Sequence, residues 1–299
     1  YFEEKKYKFQ QKSSDDFFGD SFASQEINDK LFLNSFNLQT GLVLHSDKFG
    51  KFNLGIRYIS DRYSLENYQI DDFVDNSQNI NSKTTYLNGS YYREFSKIKL
   101  KFNTENFIFG DNQSNLFSSI VKFNFKNDNS LAINYNFYSV APSYNTLLYR
   151  SNYENYNWDN EFDNSVTNSI SLNLILSNIL DLDIDLITVK KHVQFEKLID
   201  DNSPGINNYS IIPVQHLNNL EVLKIKLARK IKFGKFSIDL KLLLQKTLSD
   251  NIINLPEIVS RNTFYYSTDM FKKALYLQTG FGVKYFSKFY MNGYDPLLS

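Results

Sequence analysis

Residues 180–186 read Leu-Asp-Leu-Asp-Ile-Asp-Leu. As a helix, this stretch would spread three acids around the surface and mix them with leucines. As a strand it has one fully apolar face and one fully acidic face, because successive side chains point to opposite sides. The same period of two runs through most of the chain. In 31–45, Phe32, Phe36, Leu38, Leu42 and Leu44 share a face, and Asn37, Gln39 and His45 share the other.

Applied throughout, this rule predicts about twelve strands: 31–45, 51–61, 83–94, 98–109, 116–126, 130–138, 166–177, 180–196, 214–229, 235–247, 258–268 and 274–287. Most are longer than the ~5–6 residues usual in globular sheets. They suit the ~9–11 residues of a tilted membrane-spanning strand. The connections alternate in length. Tight ones at 46–50, 95–97, 127–129, 178–179, 230–234 and 269–273 separate longer ones at 62–82, 110–115, 139–165, 197–213 and 248–257. An antiparallel up-and-down transmembrane β-barrel has this order, with short periplasmic turns and long outer loops. Greek-key sandwiches have no reason to keep it. No fixed-period repeat suggests a propeller or solenoid.

Composition agrees. The chain has 21 Tyr and 27 Phe but one Trp, and only 11 Gly and 5 Pro. Many aromatics and Asn with a mean hydropathy of −0.41 fit a polar interior, a narrow apolar exterior and aromatic belts. A biased genome would raise the same residues, so composition alone is weak. Lys plus Arg and Asp plus Glu are 33 each, which argues against a nucleic-acid partner. Without cysteine, disulfides and thiolate metal sites are excluded. The expectation is no cofactor and no metal, since His45, His192 and His216 are scattered. No apolar run approaches the ~20 residues of a spanning helix.

The alternation also orients the chain. Strand 31–45 enters from outside and 274–287 ends outside. Outer-membrane barrels usually keep both termini in the periplasm, so the expectation is one incomplete barrel domain over 1–299. At least one strand would be missing at each end, and Tyr1–Gln10 would be the tail of the first. Since a barrel reaches its membrane by export, the expectation is an export signal upstream of Tyr1.

Charges opposite the apolar faces would line a wet interior, since Lys or Arg at lipid mid-plane costs roughly 2–4 kcal/mol. These are Lys97, Lys99 and Lys101, then Asp181, Asp183 and Asp185, then Lys224 and Lys226, and finally Asp239 and Lys241. Folding the hairpins back suggests a transverse row, Asp185–Lys226–Asp239. Such a wall would bias solute choice. It would equally serve as a solvated interior held by ion pairs, without selectivity. In loop 139–165, Tyr144, Tyr149, Arg150, Tyr153, Tyr156 and Trp158 suggest an ordered segment, either a constriction or a binding loop for a sugar ring or partner. Packing within the loop is the plainer role.

Tyr91–Tyr92, Tyr265–Tyr266, Tyr285–Phe286 and Phe289–Tyr290 fall near strand ends, as an interfacial belt, as stacking platforms or as cross-strand packing. Catalytic templates find nothing: neither GxGxxG nor a P-loop is present, and neither His45 nor His216 has a nucleophile motif nearby. The doublets Asp15–Asp16, Asp71–Asp72 and Asp200–Asp201 lack EF-hand spacing and read as solvated loop charge.

The C-terminal part carries a resemblance. Leu255-Pro256-Glu257-Ile258-Val259, Arg261-Asn262 and Phe264-Tyr265-Tyr266 are followed by Phe271-Lys272-Lys273-Ala274-Leu275, Leu277-Gln278-Thr279-Gly280 and Tyr294-Asp295-Pro296. Over about 255–296 this resembles the "putative porin" family of Bacteroidota. A looser patch is Ser151-Asn152-Tyr153 with Trp158 and Asn160. The resemblance implies an outer-membrane barrel that continues past Tyr-Asp-Pro, with no established solute or catalytic residue to carry over. Its matched residues read as structural: Pro256 and Pro296 punctuate strand starts, and Gly280 leaves room for a neighbouring aromatic.

The leading expectation is a non-enzymatic porin-like channel for passive diffusion of small solutes. Its partners would be outer-membrane lipid, the solutes themselves and, through long extracellular loops, other envelope proteins. One alternative is a non-conducting barrel that binds partners. Another is a TonB-dependent transporter barrel without its plug, although nothing resembles a TonB box. A soluble all-β binding protein is the remaining rival.

Overall fold

The computed structural model describes residues 1–22, 26–66, 79–177, 179–199, 209–249 and 253–298. Thirteen strands form one antiparallel sheet, each hydrogen-bonded to the next in chain order. They are β1 (Phe2–Gln11), β2 (Ile27–Ser46), β3 (Gly50–Glu66), β4 (Asn79–Phe95), β5 (Ile98–Gly110), β6 (Asn115–Asn124), β7 (Ser130–Val140), β10 (Ser165–Leu176), β11 (Leu180–Lys190), β14 (Leu220–Phe233), β15 (Phe236–Thr247), β16 (Ile258–Met270) and β17 (Leu275–Phe286). The sheet is not closed; β1 and β17 are its edges. The remaining strands make two small hairpins: β8 (Leu148–Tyr149) with β9 (Trp158–Asp159), and β12 (Val193–Ile199) with β13 (Tyr209–Gln215). Between β7 and β8 lies one helical turn, α1 (Tyr144–Leu147).

All twelve expected strands are in the sheet, and the expected tail of an earlier strand is β1, paired along β2 from Phe2 opposite Phe36 to Gln11 opposite Ile27. Two expected strands are broken. The stretch 180–196 stops at Lys190, because Lys191 adopts a positive φ of 53° that no strand continues through. The stretch 214–229 divides at residues 216–219. The freed ends, together with much of the expected 197–213 loop, pair as the separate hairpin β12–β13, from Val193 opposite Gln215 to Ile199 opposite Tyr209. Residues Asp71–Asp72, Asp200–Asp201, Pro204 and Gly205 lie outside the described residues.

Register settles which side chains share a face, because directly opposed residues point the same way. From Asn37 the polar face passes to Ile59 of β3. Along β3 it continues through Arg57, and from there to Tyr86, then through Asn88 to Glu105. It continues through Ser118, Asn136 and Ser169 in β6, β7 and β10. Asp185 and Lys224 follow, then Gln245. The other face carries Leu42, Leu44, Leu54, Ile56, Ile170, Leu186 and Phe281, all exposed. In water such a continuous apolar surface would drive aggregation; against lipid it is matched. Near the short turns this face carries paired rings: Phe52 with Tyr91 at 4.6 Å, and Phe236 with Tyr266 at 5.1 Å. They form the interfacial band expected of an outer-membrane strand sheet.

Gly280 marks a close approach. A Cβ there would lie 2.1 Å from the Phe264 carbonyl oxygen and 2.7 Å from Tyr265 Cβ. The β16–β17 pair therefore requires glycine. For the full-length protein in detergent micelles, Gly280→Leu should lower the urea-unfolding free energy by about 1–3 kcal/mol. Gly293→Ala, at a position with no atom within 4 Å, should leave it unchanged. Equal midpoints for the two variants would remove this packing constraint.

Candidate functional site: a polar wall and an inward-packed loop

Nine of the ten expected wall charges sit on the polar face. Lys99 and Lys101 face Lys122 and Ile120 of β6. Asp181, Asp183 and Asp185 face Ala228, Lys226 and Lys224. Asp239 and Lys241 face Lys230 and Ala228. Lys97 is the exception, since it occupies the turn between β4 and β5 rather than a strand.

The expected row Asp185–Lys226–Asp239 needs correction. Asp185 does pair with Lys226, at 3.7 Å, but diagonally, since Lys224 is directly opposite. Asp239 lies opposite Lys230, while Lys226 lies opposite Leu243. For Asp239 the cause is the turn between β14 and β15. Strand β14 runs on to Phe233, and the chain reverses over Gly234 and Lys235, where Gly234 has φ 59°. Both register shifts are even, so every charge keeps its face. Neutral side chains extend the network. Asn136 donates to Ser169 Oγ at 3.1 Å, and Asn173 donates to Asp183 at 2.6 Å.

Periodicity did not single out Arg57 and Glu105. The guanidinium Nη1 lies 3.2 Å and 3.3 Å from the two carboxylate oxygens, with both side chains largely covered. Arg57 stands between Ile56 and Tyr58 and so was legible as inward-facing, whereas Glu105 lies between Thr104 and Asn106 and was not. Only register brings them together across β4.

The segment between β7 and β10 folds back onto this same polar face. The Tyr63 hydroxyl donates to the Leu148 carbonyl at 2.9 Å, and Tyr144 donates to Asp61 at 2.9 Å. Tyr63 and Tyr144 stack at 5.7 Å. Asp29, on the same face of β2, accepts from the Ser151 hydroxyl and from the Asn152 backbone and side-chain amides. Charge-assisted bonds of this kind contribute about 1.5–3 kcal/mol each. Within the segment, Tyr149 stacks on Trp158 at 5.0 Å. Arg150 donates to the Trp158 carbonyl at 2.6 Å and lies 3.8 Å from Asp159.

Residues from both ends of the chain complete the cluster. Phe18, Ile27, Tyr149, Tyr153, Tyr156, Trp158 and Leu297 form one buried core at the long-connection end of the sheet. Tyr149 donates to the Leu297 carbonyl at 2.7 Å, Tyr156 to Asp295 at 2.7 Å and Tyr153 to Gln11 at 2.7 Å. Tyr153 and Tyr156 are 0% exposed. These rings pack the loop, the plainer of the two roles the sequence offered. Burial holds the phenols of Tyr149, Tyr144 and Tyr153 above their ordinary range, so they remain neutral donors.

The β12–β13 hairpin leans on this core through Phe195, 5.8 Å from Trp158. At its base His192 and His216 stack at 6.5 Å. Burial, then the neighbouring His216, push the His192 imidazole below its ordinary value, against a weaker hydrogen bond that it gives to Gln194. The neutral form is therefore favoured in the fold. Its stabilisation is complete above pH ~6.5, declines below that, and is gone once pH falls under the depressed value. His216 Nε2 lies 2.8 Å from a Glu196 carboxylate oxygen. Trp158 is the single tryptophan and reports directly on the contact. Its emission should shift to the red between about pH 7 and about pH 5, and much less in His192→Gln. A constant emission maximum over that range would show that His192 does not govern the hairpin.

Among the described residues, no group of three or more His, Cys, Asp or Glu could hold a metal ion, and no helix is long and apolar enough to cross a membrane.

Solved structures share the fold. The siderophore receptor PirA from Pseudomonas aeruginosa superposes with a TM-score of 0.59 at 10% identity, over 86% of this chain and 49% of its own. PirA from Acinetobacter baumannii gives 0.57 at 10% identity, over 88% and 44%. A ferric enterobactin receptor mutant from Pseudomonas aeruginosa, solved with enterobactin, gives 0.56 at 9% identity, over 85% and 42%. The chain thus spans less than half the length of these receptors, and the likeness is one of fold. No curated protein matches it. The family described as "Putative porin" matches residues 1–299 in full; the chain belongs to that family and is a bacterial outer-membrane β-barrel protein.

Proposed function

We propose that this chain, as one barrel domain, is the wall of a non-enzymatic porin-like channel through which small polar solutes diffuse passively, and that the loop between β7 and β10 is its constriction. One observation carries the reading: this loop is anchored to the polar strand face through Asp29, Asp61 and Tyr63, not to the apolar face. It therefore lies on the water-filled side of the wall, as a constriction must. Below it run the facing charges of β11 and β14, where Asp183 lies opposite Lys226 and Asp185 opposite Lys224. Charges of both signs side by side would let ions pass and tune which pass more easily.

A second reading has its own support. The buried mouth cluster, with Tyr153, Tyr156 and Leu297 fully enclosed, resembles a stopper as much as a sieve. A barrel closed this way would act through its outer surface, as a binding component among other envelope proteins. The siderophore receptors sharing the fold keep a transporter barrel in view, but that likeness is of architecture alone.

Single-channel recording of the full-length protein in a planar bilayer separates these readings. The channel reading expects steady conductance, with cation preference falling in Asp185→Asn and rising in Lys226→Gln. It also expects Asp29→Ala to raise conductance or flickering, because the loop loses three hydrogen bonds at once. A folded, inserted protein that passes no current, with Asp29→Ala restoring it, would make the stoppered barrel the better account.

A further inference from the structure

On the polar face, beneath the loop, strands β2 to β7 enclose a recess of about 410 Å³, within the ~300–1,000 Å³ typical of small-molecule sites. Arg57 on its wall stands two inward-facing positions along β3 from Asp61, which anchors the loop. A solute that had passed the loop would meet this recess next. Its lining is almost wholly uncharged: amides of β3, β4 and β5, hydroxyls, and Tyr138 on β7. The two charged groups cancel. Arg57 spans both oxygens of Glu105, and its Nε also donates to Asn37 at 3.3 Å.

Two amides have capacity left over. Asn53 gives its side-chain N–H to Ser90 Oγ at 2.7 Å, which leaves its buried Oδ1 without a partner. Asn88 has the opposite vacancy: its buried Nδ2 has no acceptor. Its Oδ1 sits in the space a Gly55 Cβ would need, 2.7 Å away. The two side chains are diagonal neighbours on β3 and β4, since Ser90 lies opposite Asn53 and Asn88 opposite Gly55. The wall of the recess therefore holds one unmet acceptor and one unmet donor on diagonal neighbours, both covered in the solute-free fold, beside an ion pair already satisfied.

From this geometry we infer a binding subsite for uncharged, hydroxyl-rich solutes of mono- or disaccharide size. The inference rests on the polar face being a solute path. A hydroxyl both donates and accepts, so neighbouring hydroxyls on one ring can meet Asn53 and Asn88 together. A free carboxylate or ammonium would have to break the Arg57–Glu105 pair or remain unpaired in a largely covered site, and both carry a penalty. Tyr138 adds an aromatic wall against which the C–H face of a sugar can rest.

Calorimetry on the detergent-solubilised full-length protein, with glucose and maltose against glutamate and lysine, tests the assignment. Saturable binding is expected for the sugars and not for the charged probes. Asn53→Leu and Asn88→Leu should each weaken it about tenfold. Asn88→Asp keeps the shape but exchanges the free donor for an acceptor, and should weaken binding comparably while heat-modifiable gel mobility shows the barrel folded. Conductance of the same variants is read separately. Sugar binding that depends on Asn53 and Asn88 supports the subsite, even in a protein that passes no current. Conduction without saturable sugar binding overturns the subsite and leaves the channel standing. Tighter binding of glutamate or lysine than of the sugars overturns it as well, as does sugar binding unaffected by all three substitutions.

Discussion

The structure depends first on the backbone ladder. In hydrocarbon an unpaired N–H or C=O costs several kcal/mol, so a spanning segment must satisfy its backbone internally or through its neighbours. Each interior strand of this sheet does so with the strand before and the strand after it in the sheet order. Side chains then divide by parity alone. One face must be compatible with lipid, which leaves the other free to be polar. Arg57, Glu105, Asp185 and Lys226 can be ionised within a membrane-spanning sheet because they all lie on that other face.

The polar face is not left empty. The chain between β7 and β10 returns to it, and its aromatic residues build a core that the sheet itself lacks. The strands leave many large apolar side chains exposed, whereas the largest buried cluster gathers around Tyr153, Tyr156 and Trp158. This inverts an ordinary globular protein: oil outside, water inside, and a small protein-like core across the mouth. Segments from both ends of the chain meet there, since Phe18 and Leu297 pack on the same rings. The stability of the mouth is thus coupled to parts of the chain almost its full length apart.

Three kinds of polar work can be told apart on this face. Asp29, Asp61 and Tyr63 hold the loop. Asp183, Asp185, Lys224 and Lys226 supply facing charge. Asn53 and Asn88 retain unmet hydrogen-bonding capacity. In Asn53 and Asn88 the unmet groups are an acceptor and a donor on neighbouring side chains of the recess wall, which is why this pair points to a ligand.

The sequence by itself determined which side chains face lipid and which face water, because a strand's period of two needs no knowledge of its neighbours. It also determined the order of short and long connections, and hence the up-and-down path. It did not determine register. The turn after β14 is a tight reversal at Gly234, and reading it as a longer one displaced Asp239 from Lys230, although parity kept the face correct. Nor could it decide the fate of the loop aromatics. Tyr149 meets Leu297 across 148 residues, and Tyr63 meets Leu148 across 85. No local pattern encodes such contacts, so only the folded chain shows that those rings are buried in packing and that Arg57 and Glu105 close on one another across β4.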